Sequence, residues 1–361
     1  FQNLKGVSYP AVVHVLTRKG IGKEKAEADP LKYYSLSGNG DGQAKEPSIA
    51  PGYSKVFGSI ACQLAEEDED VVSVVAAMRE GTGLVPFAEK YPDRFFDSGI
   101  AEGHTVTFAG GLAASGLKPI VAIYSTFLQR SYDMIIHDIA LQKLPVLFCL
   151  DRAGVVGPDG PTHHGVFDLS FLRLIPGMAL AAPKDGNELR DLMYTGLNHW
   201  QGPFAVRYPK ASSMVFDESL APKAVEVGTW EVLKEGSDLI VLAVGSMVIE
   251  ARDALEKQNM DFQLVNARFV KPLDERMLDE ICEQFSTVVT IEEGSLEGGF
   301  GSAVMSALNK RNFIGKVRQL GIPDEFVEHG DRRRLLNDLG LTAEKIAETV
   351  SELAASVPTV H

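Results

Sequence analysis

The sequence predicts an α/β protein of two doubly wound domains, and three observations carry that prediction. Near-continuous apolar runs at 71–77, 119–124, 145–150, 178–182 and 204–208 read as strands buried on both faces. Helical stretches lie between them, notably 127–142 and 187–198, and strands alternating with helices give a parallel sheet covered on each side. After a charged, irregular stretch at 216–235 the alternation restarts, with strands at 239–244, 262–265, 288–292 and 317–320 and helices starting near Ser246, Leu273 and Gly301. The expected boundaries are 51–215 for the first domain and 216–361 for a second, smaller one. A chain of 361 residues is of the right length for two domains.

Composition narrows the function classes. Hydrophobic content of 45% with 23% charged residues fits a soluble globular protein with a sizeable core. The net charge of −14 argues against a nucleic-acid or anionic-membrane partner, each of which needs a basic face. It leaves room for a small anionic substrate held by a few local cations. Cys62, Cys149 and Cys282 lie far apart, with neither a disulfide framework nor a zinc spacing, so a reducing compartment is expected. The apolar runs are too short to span a bilayer, and no signal-peptide pattern opens the chain. A first residue that is Phe rather than Met suggests a fragment, a processed product or one piece of a cleaved protein.

In chain order, residues 11–16 read as a strand, Thr17-Arg18-Lys19-Gly20-Ile21-Gly22-Lys23 as a basic turn, and a charged segment follows to Asp29-Pro30. Residues 1–34 cannot bury a core alone. Residues 35–50, rich in Gly, Ser and Pro, read as a linker. Within it, Gly40-Asp41-Gly42 is explained by turn chemistry: no strand precedes it, and no asparagine between Asn39 and Asn187 completes a metal-diphosphate signature. Phe95-Phe96 reads as a short strand, Asp97-Ser98-Gly99-Ile100-Ala101-Glu102-Gly103-His104 as a turn, and 105–114 as a buried helix. That puts Glu102 at a strand-to-helix turn with apolar sequence on both sides. A carboxylate there is costly unless paired or protonated, and burial raises its pKa so that it donates a hydrogen bond. The ordinary alternative is that Glu102 serves the N-terminus of its helix.

Ligands of such sheets bind beyond the carboxyl ends of the strands. Tyr124-Ser125-Thr126-Phe127-Leu128-Gln129-Arg130 sits there, combining hydroxyls, an aromatic and a cation suited to an aromatic heterocycle, with Phe127 free to stack on it. The alternative makes Tyr124 and Phe127 core and Arg130 surface. Further on, Asp151-Arg152-Ala153-Gly154 opens a long Gly/Pro loop through Gly157 to Gly165, of a kind that is functional or disordered. Arg152 offers a planar fork to phosphate or carboxylate; Asp159 and His163 exchange protons or hold hydroxyls. A metal on Asp159, His163 and His164 is disfavoured, because adjacent histidines on a loop rarely face one ion. Glu297-Gly298-Gly299-Phe300-Gly301 is a helix-start turn rather than a dinucleotide loop, since no acidic residue ends a following strand.

These residues carry a family resemblance. Ala77-Met78-Arg79-Glu80-Gly81, Gly99-Ile100-Ala101-Glu102, Tyr124 to Arg130, Asp151-Arg152-Ala153-Gly154, Gly160 to Gly165, Phe167-Asp168-Leu169-Ser170 and Arg207-Tyr208-Pro209 resemble the central domain of 1-deoxy-D-xylulose-5-phosphate synthases, transketolase-like thiamine-diphosphate enzymes. Arg268 to Asp274 and Val289 to Gly301 resemble the C-terminal domain, and Lys19-Gly20 through Asp29-Pro30 the tail of the N-terminal domain. The resemblance implies a transketolase-like pyrimidine-binding domain, a transketolase C-terminal-like domain, and a transferase that joins pyruvate to D-glyceraldehyde 3-phosphate with loss of carbon dioxide. It places the product in isoprenoid, thiamine and pyridoxal synthesis. It implies thiamine diphosphate as cofactor, with Glu102 on the aminopyrimidine ring nitrogen, favouring the imino tautomer, and Phe127 and Arg130 beside the ring. It assigns Tyr124, Arg152 and Lys210 to the acceptor's phosphate, and Asp159 and His163 to its hydroxyl and carbonyl or to proton transfer. Mg²⁺ and the diphosphate would be held by an N-terminal domain that this chain does not contain, supplied by another chain or segment. A homodimer in the bacterial cytoplasm is implied, with plastid stroma as the other compartment. Three positions depart from the family: Lys23 where relatives have an aromatic, Tyr34 where they have histidine, and Lys210 where they have arginine. Lysine keeps the charge and loses the bidentate fork. The competing readings are the β-type subunit of a two-chain 2-oxo acid dehydrogenase, which would lack the Asp-Arg-Ala-Gly loop, and a non-catalytic paralogue.

Overall fold

The structure is a computed structural model that describes residues 2–18, 20–28, 50–237, 239–258 and 261–355. The chain divides into two units, Phe1–Pro47 and Ser48–His361. The first contains a 3₁₀ turn, Gln2–Leu4, and a short helix, Glu24–Ala28, which the turn at Gly20 and Gly22 approaches with both glycines at positive φ. A Cβ at Gly20 would sit 2.5 Å from the Ala26 carbonyl oxygen, so glycine is required there. Residues 11–16, expected to be a strand, form none: no neighbouring strand among the described residues offers them a ladder. Tyr34, Gly40-Asp41-Gly42 and the expected linker up to position 49 lie outside the described residues.

The second unit is built on two sheets. In the first, β1 (Val71–Val75), β2 (Phe95–Asp97), β3 (Lys118–Tyr124), β4 (Leu147–Asp151), β5 (Ala179–Ala181) and β6 (Phe204–Arg207) run parallel in the spatial order β5-β6-β4-β3-β1-β2. In the second, β7 (Glu231–Lys234), β8 (Leu239–Ala243), β9 (Phe262–Asn266), β11 (Thr287–Ser295) and β12 (Lys316–Ile322) take the order β12-β11-β8-β9-β7, with β7 antiparallel. The remaining strand, β10 (Phe269–Lys271), leaves the second half of the sequence and pairs antiparallel with β5, at the edge of the first sheet. Strands β7 and β10 were not expected, and β7 falls within the stretch read as irregular.

The apolar runs form strands because both faces are covered: every residue of β1, β4, β6 and β8 is buried. Each fully buried aliphatic or Phe side chain contributes about 1.5–3 kcal/mol. One core is continuous across both sheets, joining Ile120, Phe148 and Phe204 of the first to Ile240, Val265 and Val288 of the second. Helices start where an acid stops the strand-to-helix loop. Asp185 accepts from the Glu188 N–H at 2.8 Å, and Asp274 from the Met277 N–H at 2.9 Å.

Two helical expectations are corrected. The segment 105–114 belongs to a helix, Glu102–Ala114, that is not buried all round: His104, Thr107, Gly111 and Ala114 form an exposed stripe while Val106, Ala109 and Ala113 face the core. The expected helix 127–142 is a succession of short pieces: Ser125–Leu128, a 3₁₀ turn Gln129–Ser131, Tyr132–Met134 and a π-helical turn Ile135–Ala140.

Candidate active site

The direction of the strand connections reverses between β1 and β3, since β1 leads outward to β2 and the chain then returns to the other side of β1. In open α/β sheets the crevice beyond the carboxyl ends of such strands is where ligands bind. The segments after β1, β2, β3 and β4 all open onto it, and they carry Gly81, Glu102, Tyr124 to Arg130, and Arg152.

Glu102 is the first residue of its helix and is 8% exposed. Its Oε1 accepts from Arg130 Nη1 at 3.0 Å, so the carboxylate turns across to the β3 segment; no side chain caps the helix at Ala101. A buried acid is thus paired through one oxygen beside an aromatic platform. The Arg130 guanidinium lies 5.1 Å from the Phe127 ring centroid. Phe127 stacks on Tyr124, centroids 5.7 Å apart and 14° from parallel, and meets the His163 ring edge-on at 5.4 Å. Tyr124 in turn lies under the Arg152 guanidinium at 3.9 Å. Glu102, Arg130, Phe127, His163, Tyr124 and Arg152 therefore form one unbroken chain of contacts.

Arg152 turns back into the fold. Its backbone is left-handed, φ +58°, and its Nη1 donates to the Gly81 carbonyl at 2.6 Å, lies 2.9 Å from Asp151 Oδ1 and reaches Ser54 Oγ at 3.4 Å. Asp151 is fully buried; burial pushes its carboxyl up and the Arg152 charge pulls it partway back. Gly81 is glycine for space: a Cβ there would fall 2.0 Å from the Tyr124 hydroxyl oxygen. Burial pushes that hydroxyl's pKa up, the Arg152 charge opposes the rise, and Asp151 and Asp159 add to it. Asp159 and Lys210 pair with each other at 3.1 Å, both solvent-exposed. Thr162 Oγ1 meets His163 Nδ1 at 2.9 Å.

His164 faces away from His163. Its Nδ1 accepts from the Val156 N–H at 2.9 Å, which makes Nε2 the donor to the Glu328 carbonyl at 3.2 Å. Burial holds this imidazole below its usual range. Among the described residues no three His, Cys, Asp or Glu side chains are grouped so as to hold a metal ion.

Sequence reasoning missed the supports. Arg207, at the end of β6, forms a buried bidentate pair with Asp168 at 3.1 Å and donates to the Gly165 and Glu293 carbonyls. Glu293, 1% exposed, accepts from the Val155 N–H at 2.7 Å, from Ser246 at 2.9 Å and from Arg332 through both oxygens. The 151–165 loop is thereby tied at both ends to the second sheet. The doubled acid Glu292-Glu293 inside an apolar strand was the available signal.

Fold and site together define a class: a transketolase-type pair of α/β domains. The transketolase pyrimidine-binding domain matches residues 50–214 and the transketolase C-terminal domain residues 228–346. A solved structure described as a split-gene transketolase, inactive β4 tetramer, superposes with a TM-score of 0.75 at 28% identity, covering 84% of this chain and 98% of that one. The 1-deoxy-D-xylulose-5-phosphate synthase of Aquifex aeolicus is 49% identical over 356 residues, and that of Dictyoglomus turgidum 48% over 354; each alignment covers 97% of this chain and 56% of the relative. The chain belongs to the transketolase-like 1-deoxy-D-xylulose-5-phosphate synthase family. It spans little more than half the length of the curated relatives it matches.

Proposed function

We propose that this chain supplies the pyrimidine-binding and C-terminal parts of a thiamine-diphosphate-dependent 1-deoxy-D-xylulose-5-phosphate synthase, joining pyruvate to D-glyceraldehyde 3-phosphate with release of carbon dioxide. The observation that carries the reading is the buried Glu102 carboxylate, set at a helix start and joined to the Phe127 ring through Arg130, which lies 3.0 Å from the acid and 5.1 Å from the ring centroid. An acid and an aromatic ring bridged by one guanidinium offer what an aminopyrimidine needs: one carboxyl to meet a ring nitrogen and one π surface to stack. When bound, the cofactor supplies the electron sink for decarboxylation. Glu102 holds a proton at the pyrimidine ring nitrogen, and Arg130 orients that carboxyl. Phe127 provides the stacking face. Tyr124, Arg152 and Lys210 receive the acceptor's phosphate, and Asp159 and His163 hold its hydroxyl and carbonyl and move protons there. Lys210, where relatives carry arginine, contributes a point charge without a fork.

The relatives extend well beyond the matched region, and we assign the diphosphate and Mg²⁺ ligands to that remainder, whether on the same polypeptide or another. A homodimer in the cytoplasm completes the proposal. The solved split-gene transketolase, described as an inactive assembly, supports the expectation that this part alone turns nothing over.

The test combines the chain with the N-terminal segment of the Aquifex aeolicus relative, thiamine diphosphate, Mg²⁺ and pyruvate. Carbon dioxide release that requires glyceraldehyde 3-phosphate and yields its condensation product is the expected result. Release coupled instead to a lipoyl acceptor would make the chain a dehydrogenase β-type subunit. Folded protein with a bound partner segment and no release would make it a non-catalytic paralogue.

A further inference from the structure

One cleft plays no part in the reaction above. About 300 Å³ in volume, it opens where β10 and the turn after it meet the Phe300–Lys310 helix. Arg173, Lys271, Lys310 and Arg311 line it against a single acid, Glu275. In a chain of net charge −14 this is a local inversion of sign.

The cations are not equivalent. Arg311 is neutralised, 2.6 Å from Glu275 and 2.6 Å from Asp279. Arg173, Lys271 and Lys310 have no carboxylate partner among the described residues. Arg173 spends Nη1 on the Gly298 and Gly299 carbonyls, the latter at 2.8 Å, leaving Nε and Nη2. Lys271 donates to the carbonyls of Arg173 at 2.8 Å and Ile175 at 2.5 Å, leaving its third N–H. Carbonyls satisfy donors without cancelling charge. Burial lowers the pKa of both groups, and the Arg173 charge lowers that of Lys271 further. Glu292, the acid whose field reaches Arg173, has both oxygens occupied by the Phe300 and Gly301 N–H groups at 2.8 Å. Two half-buried, mutually repelling cations with spare donors, and a third exposed at the rim, are an arrangement that a bound anion relieves.

We propose that this cleft binds a small phosphate-bearing anion, with Arg173 and Lys271 as its half-buried ligands and Lys310 at its mouth. A guanidinium beside an ammonium matches tetrahedral phosphate oxygens. The volume admits a diphosphate and excludes a polymer, and the charge of the chain as a whole repels nucleic acid.

Calorimetric titration of the full chain with inorganic pyrophosphate and, separately, inorganic phosphate, at low ionic strength and without metal, tests this. Binding at the cleft is expected, told apart from any occupancy of the Tyr124–Arg152–Lys210 set by the variants below, and tighter for pyrophosphate if a diphosphate is the true ligand or equal for the two if a monophosphate is. Lys310→Glu, at an exposed position without an acid partner among the described residues, weakens binding at least tenfold, and Arg173→Met abolishes it. Lys210→Ala, in the other set of residues, leaves it unchanged. Absence of binding at millimolar concentration overturns the proposal. So does binding unaffected by Lys310→Glu, or binding lost with Lys210→Ala. If Arg173→Met does not fold, Lys310→Glu decides. The measurement needs no turnover, so its outcome is independent of the synthase assignment.

Discussion

At the scale of single residues, the proposed chemistry concentrates on Glu102 and the cation it meets. Glu102→Gln keeps the volume and removes the carboxylate that pairs with Arg130 at 3.0 Å. In the reconstituted synthase we expect kcat to fall by about 10²–10⁴-fold, the range for loss of a positioned proton donor or acceptor, while circular dichroism stays that of the parent. Activity within a factor of three would remove Glu102 from the mechanism. The same pair shows why the residue was legible in the sequence: an acid between apolar stretches must find a partner, and Arg130 sits in the next post-strand segment. Asp151 was not legible as a support. Its role depends on the Arg152 guanidinium folding back over Tyr124, which no local pattern encodes. Asp151 holds Arg152 through the backbone N–H at 2.7 Å and through Nη1 at 2.9 Å. Asp151→Asn should therefore raise KM for glyceraldehyde 3-phosphate about tenfold, the loss of roughly one charge-assisted hydrogen bond, with KM for pyruvate unchanged. Equal effects on both substrates would show a general loss of structure instead.

At the scale of elements, the 151–165 loop owes its shape to the second sheet. Arg332 donates to the Val155 carbonyl at 2.9 Å and grips Glu293 through both oxygens, at 2.8 and 2.7 Å. Removing one partner of such a buried pair costs about 3–5 kcal/mol. Arg332→Met should then raise amide hydrogen exchange across residues 153–165, with β9 protected as before; a uniform rise would mean global destabilisation. The neighbouring acid makes a different prediction. Burial raises Glu292 to about 7, against the pull of the Phe300 and Gly301 N–H groups and of Arg207 and Arg173. Its folded pKa lies above its unfolded value, so its proton stabilises the fold fully below about pH 4.5, and that contribution is lost as pH rises through about 7. The linkage is on the order of 3 kcal/mol. Glu292→Gln should flatten the decline in Tm between pH 5 and 8 measured by calorimetry. An unchanged slope would assign the decline to other groups.

At the scale of the whole second unit, the long buried strands were legible because a parallel sheet covered on both faces demands unbroken apolar runs, as at 119–124 and 145–150. The short strands were not. β7 is half exposed and bracketed by Glu231 and Lys234, and β10 has three residues whose partner, β5, lies far earlier in the chain. Only long-range pairing makes β10 a strand. That pairing has a thermodynamic consequence, because β10 carries second-half sequence into the first sheet. Phe269 meets Phe204 edge-on at 6.3 Å, the Trp230 indole donates to the Phe269 carbonyl at 2.8 Å, and one hydrophobic core runs through both sheets. Separating the halves would strip β5 of its edge partner and open that core, so residues 50–355 should unfold as one cooperative unit. The two tryptophans report on this independently. Trp200 donates to the Pro203 carbonyl just before β6, while Trp230 packs against Phe300 in the second half. In Trp200→Phe and Trp230→Phe variants, fluorescence of the remaining indole should give melting curves that coincide, once each is aligned to its own calorimetric midpoint. Two transitions separated by more than a few degrees would show that β10 is a peripheral attachment and that the halves melt apart.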